Sequence, residues 1–252
     1  MSWKRLRPGV LIRYVNLRSA STGQNIVKSS YPSVPIPSTS FPGYVLSAIK
    51  KYAANNRTAF ICAEDNKPVT YKNIVDSAYA LATFLSKNGF HEGVASAVLP
   101  NNSEFSSLFL GVTLNRGILT SVSPVSTEYE LLNHFLDSEA RLVITNQQSL
   151  QKVLKAAHKC PSIKMILCMD TEQTAALPSR VHNWKDIMET TPDNNFTPPQ
   201  VDADKEPVFM PYSSGTCGTP KGVMLTHRNM IAMMNIFMSL FGSDTVGYRR
   251  FG

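Results

Sequence analysis

The 252 residues predict an α/β protein built on a mostly parallel sheet flanked by helices. Three observations carry this. Strand-like and helix-like segments alternate without a break from Val94 to Met169. The strand segments are continuously apolar rather than alternating, which is how strands buried on both faces read. Near the end, a loop dense in glycine and hydroxyls stands between a short apolar strand, Val208-Phe209-Met210, and a further helix.

The elements follow in order. Met1 to about Asn25 holds five Arg/Lys and no acid. It reads either as a mitochondrial transit peptide or as a disordered basic extension or misassigned exon. Tyr31 to Pro42 contains four prolines and is expected to be extended. Ser40 is placed to cap a helix with Val45, Ala48, Ile49 and Tyr52 on one stripe. Thr58 to Cys62 predicts a strand. A clearer helix presents Ile74, Ala78, Leu81 and Leu85 and ends at Gly89. The alternation then runs Val94–Leu99 (strand), a helix from near Ser103 burying Phe105, Leu108, Phe109 and Val112, and Ile118–Val122 (strand). Thr127-x-x-Glu130 is a capping box opening a helix with Leu131, Leu132, Phe135 and Leu136 inward. Leu142–Thr145, Gln148–His158 and Met165–Met169 predict strand, helix and strand. Thr190 to Pro207, with four prolines, is a linking loop.

The stretch Ser213 to Lys221 carries the chemistry. Glycines permit positive φ and close approach of a ligand to the main chain. Successive N–H groups in such a turn make an anion-binding concavity. Hydroxyls add donors, and Lys221 adds a positive point charge suited to phosphate. The spacing is not that of a Walker A loop, because the fifth residue after Gly215 is Pro220 and Lys221 is followed by Gly222. Thr226 is placed to cap the helix that follows, running through Asn229 to Phe241.

The full string Tyr-Ser-Ser-Gly-Thr-Cys-Gly-Thr-Pro-Lys-Gly-Val, followed by Leu225-Thr226-His227-Arg228-Asn229, closely resembles the AMP-binding signature of adenylate-forming enzymes: acyl-CoA synthetases, 4-coumarate–CoA ligases and luciferases. The Leu-Pro-Asn-Asn stretch and Asp137-Ser138-Glu139-Ala140 resemble the same family. The resemblance implies a partial large domain of the acyl-CoA synthetase-like fold. It also implies an ATP-dependent acid–CoA ligase that uses Mg²⁺ and coenzyme A to adenylate a fatty or aromatic acid. By resemblance, Ser213, Ser214, Gly215, Thr216, Gly218 and Lys221 contact the phosphates. Cys217 stands where a threonine is usual, and a thiol is a weaker donor. Lys221 and His227 are the catalytic candidates, His227 resembling a histidine beside the acyl-adenylate. His91, His134, His158 and His182 have no such context and read as solvated or packing residues. No metal ligand is assigned.

The family's large domain is nearly twice this long, and its later adenine, ribose, hinge and adenylation-lysine motifs find no match here. The organisation expected is a basic extension over 1–25 and a truncated AMP-binding domain over 26–252. The chain then represents a gene fragment, splice product or incomplete gene model, inactive alone. The alternative is a non-catalytic relative acting in binding or interaction.

Composition excludes other classes. The net charge of +7 suggests nucleic acid, but nine Lys/Arg and no acid lie before Glu64, leaving 16 basic against 18 acidic residues beyond. The basicity is local to the N-terminus, so no nucleic-acid face is expected. Four cysteines without metal or disulfide spacing point to reduced thiols inside the cell, in mitochondria, peroxisome or cytoplasm. No apolar run reaches the roughly 20 residues of a membrane span. Met230 to Gly242 reads as a buried core helix.

Overall fold

The structure, a computed structural model, describes residues 29, 31–63, 66–170, 177–193, 196–213 and 220–241. Two compact units are distinguished, 1–34 and 35–252. Of the first, only Ser29 and 31–34 are described, the Tyr31 N–H donating to Ser29 Oγ at 3.1 Å. The transit-peptide expectation for Met1–Asn25 and the readings of 242–252 lie outside the described residues.

In the second unit, α1 (Phe41–Ala54) starts where Ser40 Oγ accepts the Gly43 N–H at 3.3 Å, with Pro42 in the first turn, where a missing donor costs nothing. Its buried side is Phe41, Pro42 and Leu46. Val45 and Ile49 pack against the core, but Ala48, predicted on the stripe, is exposed. β1 (Thr58–Ile61) pairs antiparallel with β2 (Pro68–Thr70). α2 (Tyr71–Lys87) opens on a Thr70/Asn73 capping box and buries Ile74, Ala78, Leu81 and Leu85, as the spacing predicts.

The alternating region gives β3 (Gly93–Val98), α3 (Phe105–Leu114), β4 (Gly117–Ser121), α4 (Glu128–Asp137), β5 (Ala140–Thr145), α5 (Gln147–His158) and β6 (Met165–Cys168). Among the elements not foreseen are β7 (Val181–Asn183) and α6 (Trp184–Met188), each, like the short β2 before them, too short to show a period. β8 (Pro207–Phe209), β9 (Tyr212–Ser213), β10 (Lys221–Gly222), β11 (Leu225–Thr226) and α7 (His227–Phe241) complete the unit.

Seven strands form one sheet in the order β11-β8-β4-β3-β5-β6-β7. All neighbours are parallel except the edge strand β11, which runs antiparallel to β8. Successive residues of β3 serve opposite faces. Ala95 and Ala97 join Leu81, Leu85, Leu108 and Val112 of α2 and α3. Val98 joins Leu131, Phe135, Leu150 and Val153 of α4 and α5. Gly111 lets α2 and α3 pack closely: a Cβ there would stand 2.7–2.9 Å from Leu81 side-chain atoms.

Two burial expectations are corrected. Leu136 of α4 is 50% exposed, and His134 takes an inward place beside Phe135. α7 is not a buried core helix: Ile231 is buried, but Met233, Ile236, Met238 and Leu240 are exposed. The helix is covered where Ile231 packs with Leu110, Leu114 and Val208 and where Asn235 Oδ1 accepts the Tyr44 hydroxyl at 3.1 Å. No helix among the described residues is long and apolar enough to cross a membrane.

Candidate functional site

The hydroxyl-rich loop leaves the sheet at the carboxyl end of β8, where open α/β sheets bind ligands. Met210 ends the strand firmly: its N–H donates to Leu119 O at 2.8 Å, and its carbonyl accepts Thr120 Oγ1 at 2.6 Å. β9 and β10 then close the loop as an antiparallel ribbon, with Ser213 opposite Lys221 and Tyr212 opposite Gly222. The Val223 N–H donates to Pro211 O at 2.9 Å and seals the base. Cross-strand partners share a face, so Ser213 and Lys221 present hydroxyl and ammonium side by side. Both are exposed. Tyr212 and Gly222 share the other face, where a Cβ on Gly222 would meet Met210 Cγ and Sδ at 3.1 Å and Tyr212 Cε2 at 3.3 Å. A side chain at this position would press on Met210 and Tyr212 by a few tenths of an ångström. Of the predicted phosphate contacts, the structure brings Ser213 and Lys221 together; Ser214, Gly215, Thr216, Cys217 and Gly218 lie outside the described residues.

Beneath the ribbon lies a polar cluster that sequence reasoning missed. The Tyr212 hydroxyl donates to Asp137 Oδ2 at the end of α4. The His134 ring lies against the Tyr212 ring, centroids 4.3 Å apart and tilted by 51°. His134 Nε2 stands 3.5 Å from Thr120 Oγ1. His134 is 7% exposed, and burial pushes its pKa down to about 4 against the opposing pull of Asp137, so the ring is neutral. Burial first, and then the bond to Asp137, push the Tyr212 phenol well above its ordinary range. The available signal was the spacing of His134 and Asp137, three apart on one helix face. Nothing in the sequence connects that face to Tyr212.

His227, the second catalytic candidate by resemblance, lies in a buried, hydrogen-bonded setting. It is 2% exposed at the start of α7, and its Nδ1 accepts the Phe41 N–H at 3.0 Å. Its own N–H donates to Glu206 O at 3.2 Å. Burial lowers its pKa; Glu206 opposes the shift and Arg116, bonded to Glu206 at 2.8 Å, adds to it. A neutral imidazole accepting at Nδ1 carries its proton on Nε2. The ring ties the first turns of α1 and α7 together, and this is an anchor's geometry. Of the remaining histidines, His182 packs edge-on against Phe84 at 5.2 Å, and His91 and His158 are exposed.

A family model described as AMP-binding enzyme matches residues 48–246. A 4-coumarate–CoA ligase-like protein of Arabidopsis thaliana is 34% identical over 226 residues, covering 88% of this chain and 39% of its own. A peroxisomal OPC-8:0-CoA ligase of the same plant is 33% identical, covering 94% and 42%. Among solved structures, a long-chain-fatty-acid–CoA ligase from Archaeoglobus fulgidus aligns with a TM-score of 0.73 at 21% identity, over 85% of this chain and 42% of that one. A red-emitting luciferase from Phrixothrix hirtus aligns at 0.72 and 21%, over 89% and 53%. The chain thus spans about two fifths of the length of these curated relatives.

Proposed function

Because the chain belongs to the AMP-binding enzymes and is related to acid–CoA ligases, we propose that residues 213–221 hold the phosphates of ATP for adenylation of a fatty or aromatic acid before its transfer to coenzyme A. The observation that carries this reading is the Ser213–Lys221 pair, held in register across the ribbon that closes the loop. An exposed hydroxyl and ammonium on one face, at the carboxyl end of a parallel strand, suit a polyanion.

Bound ATP would supply the adenylyl group that activates the acid, with pyrophosphate leaving. The chain's part is positioning and electrostatics: donors fixed in advance where charge accumulates on phosphate oxygens. Lys221 offsets that charge and Ser213 donates to it; Ser214, Gly215, Thr216, Cys217 and Gly218 complete the proposed grip. Mg²⁺ and coenzyme A enter as the partners usual for such ligases, with no residue here assigned to either. His227 is proposed to anchor α7 and not to act on the acyl group. The groups that the resemblance assigns to adenine, to ribose and to the adenylation lysine are not in this sequence. Residues 1–252 alone are therefore proposed to bind nucleotide without turning it over. An intracellular setting fits, and the name of one relative makes the peroxisome the compartment to examine first; nothing supports the mitochondrial expectation.

The test is calorimetric titration of 1–252 with Mg-ATP, with pyrophosphate release followed beside it in the presence of fatty and aromatic acids. Binding that Lys221→Ala weakens about tenfold or more, the range of one charge-assisted hydrogen bond, supports the reading. No binding to a folded sample overturns it. Acid-dependent pyrophosphate release, lost in Lys221→Ala, keeps the ligase reading and overturns the proposal of inactivity alone.

A further inference from the structure

The ribbon that closes the phosphate loop is only two residue pairs long. A two-stranded ribbon of that size has little stability of its own, so something else must fix its position. The backbone ties at Met210 and Val223 hold the base, where the chain enters and leaves. Above them, the one described side chain that carries the ribbon down to the sheet is Tyr212. Its partner Gly222 has no side chain, and Ser213 and Lys221 face the other way.

Tyr212 ends on α4. Its hydroxyl donates to Asp137, and its ring rests on His134, which stands 3.5 Å from Thr120 of the neighbouring strand β4. A carboxylate near an anion-binding loop is electrostatically unfavourable, and here the phenol is interposed and donates a hydrogen bond to it. Ser213 follows Tyr212 and points to the opposite face. A backbone shift at Tyr212 therefore carries the adjoining Ser213, and its register with Lys221, along with it.

We propose that Asp137 and His134 are positioning residues of the nucleotide site, acting through Tyr212 to hold Ser213 and Lys221 in phosphate-binding register. The inference rests on the reading of 213–221 as the phosphate grip. It adds that helix α4, about 75 residues earlier in the chain, sets the geometry of that grip.

The experiment uses 1–252 and the variants Tyr212→Phe, Asp137→Ala and Asp137→Asn. Each is measured by amide hydrogen exchange without ligand, by Mg-ATP titration and by thermal melting. Tyr212→Phe and Asp137→Ala should speed exchange of the 212–223 amides and raise the Kd for Mg-ATP, each by about fivefold to tenfold, the span of one such hydrogen bond. Exchange in β3 and β5 should stay unchanged. Asp137→Asn keeps an acceptor for the phenol and should restore both values to within about twofold of the parent. A purely structural role predicts the opposite pattern: exchange rising throughout the unit, or unchanged within 212–223. Either result overturns the proposal. If the parent chain binds no Mg-ATP, the phosphate reading fails, and the proposed role with it. The exchange pattern then still tells whether α4 holds the ribbon, so the two failures are distinguishable.

Discussion

The parallel core from β3 to β6 and the segment from β8 to α7 are built in opposite ways. In the core, strands of four to six residues are flanked on both sides, and Val98, Leu131, Phe135, Val143 and Ile166 are buried to within 1% of completely. In the later segment the strands are two or three residues long, and α7 shows Met233, Ile236 and Met238 to solvent. Yet the proposed grip is in the later segment. Binding elements come from the less stable end of a structure, because they must remain open to a ligand. Their geometry has to be borrowed from the rigid part. Thr120 on β4 and His134 and Asp137 on α4 are the points of attachment.

The largest test of this contrast strikes the core side. Phe135→Ala empties a fully buried site between α4 and the sheet. A loss of about 3–5 kcal/mol is expected, read from urea unfolding. Because α4 also carries His134 and Asp137, Mg-ATP affinity should fall with it. A variant that loses the stability but binds nucleotide normally would separate the two regions and break the comparison.

Acid should act next, through His134. Its pKa in the folded protein, about 4, lies below its ordinary 6.5, so the unfolded chain takes up the proton first as pH falls. The stability from keeping this ring neutral is complete above pH 6.5 and is lost progressively down to about pH 4. Up to about 3 kcal/mol is at stake, at 1.36 kcal/mol per pH unit. His182 and His227 are shifted in the same direction. His134→Gln should flatten the slope of unfolding free energy between pH 6.5 and 4. An unchanged slope would place the titration elsewhere.

These two regions also differ in how well the sequence revealed them. The core was legible because its signals are local. Thr127 and Glu130 stand at capping-box spacing, and the structure forms both halves of that box. The strands read as mostly apolar runs, interrupted by small hydroxyl residues such as Ser96 and Thr120 and bounded by turn residues. Local signals misled where one residue type serves two environments. Leu136 and Met238 are apolar and exposed, while His134 is polar and buried, since the neighbours that decide this come from other elements. The hydroxyl-rich loop was legible by composition. Its support was not, because Tyr212 and Asp137 are 75 positions apart and no spacing rule spans that distance. His227 shows the converse: the string around it suggested chemistry, and its bond from the Phe41 N–H, which supports the proposed role as an anchor, joins positions no local signal connects.

The smallest effect is the sharpest probe, because the same substitution can be made on both sides. Thr127 caps α4 and Thr226 caps α7 by the same device. Each threonine hydroxyl accepts an N–H three residues on, at 3.2 Å, and the side chain of that later residue, Glu130 or Asn229, accepts the threonine's own N–H. Thr127→Ala and Thr226→Ala should each cost about 1 kcal/mol locally. Thr127→Ala loosens a helix packed into the sheet, so the cost should appear as a lower midpoint for the whole unit. Thr226→Ala should appear chiefly as faster amide exchange within α7, leaving the global midpoint nearly in place. Equal midpoint shifts for the two variants would mean that α7 unfolds only with the core. The nucleotide segment would then be as cooperative a part of the fold as the strands beneath it.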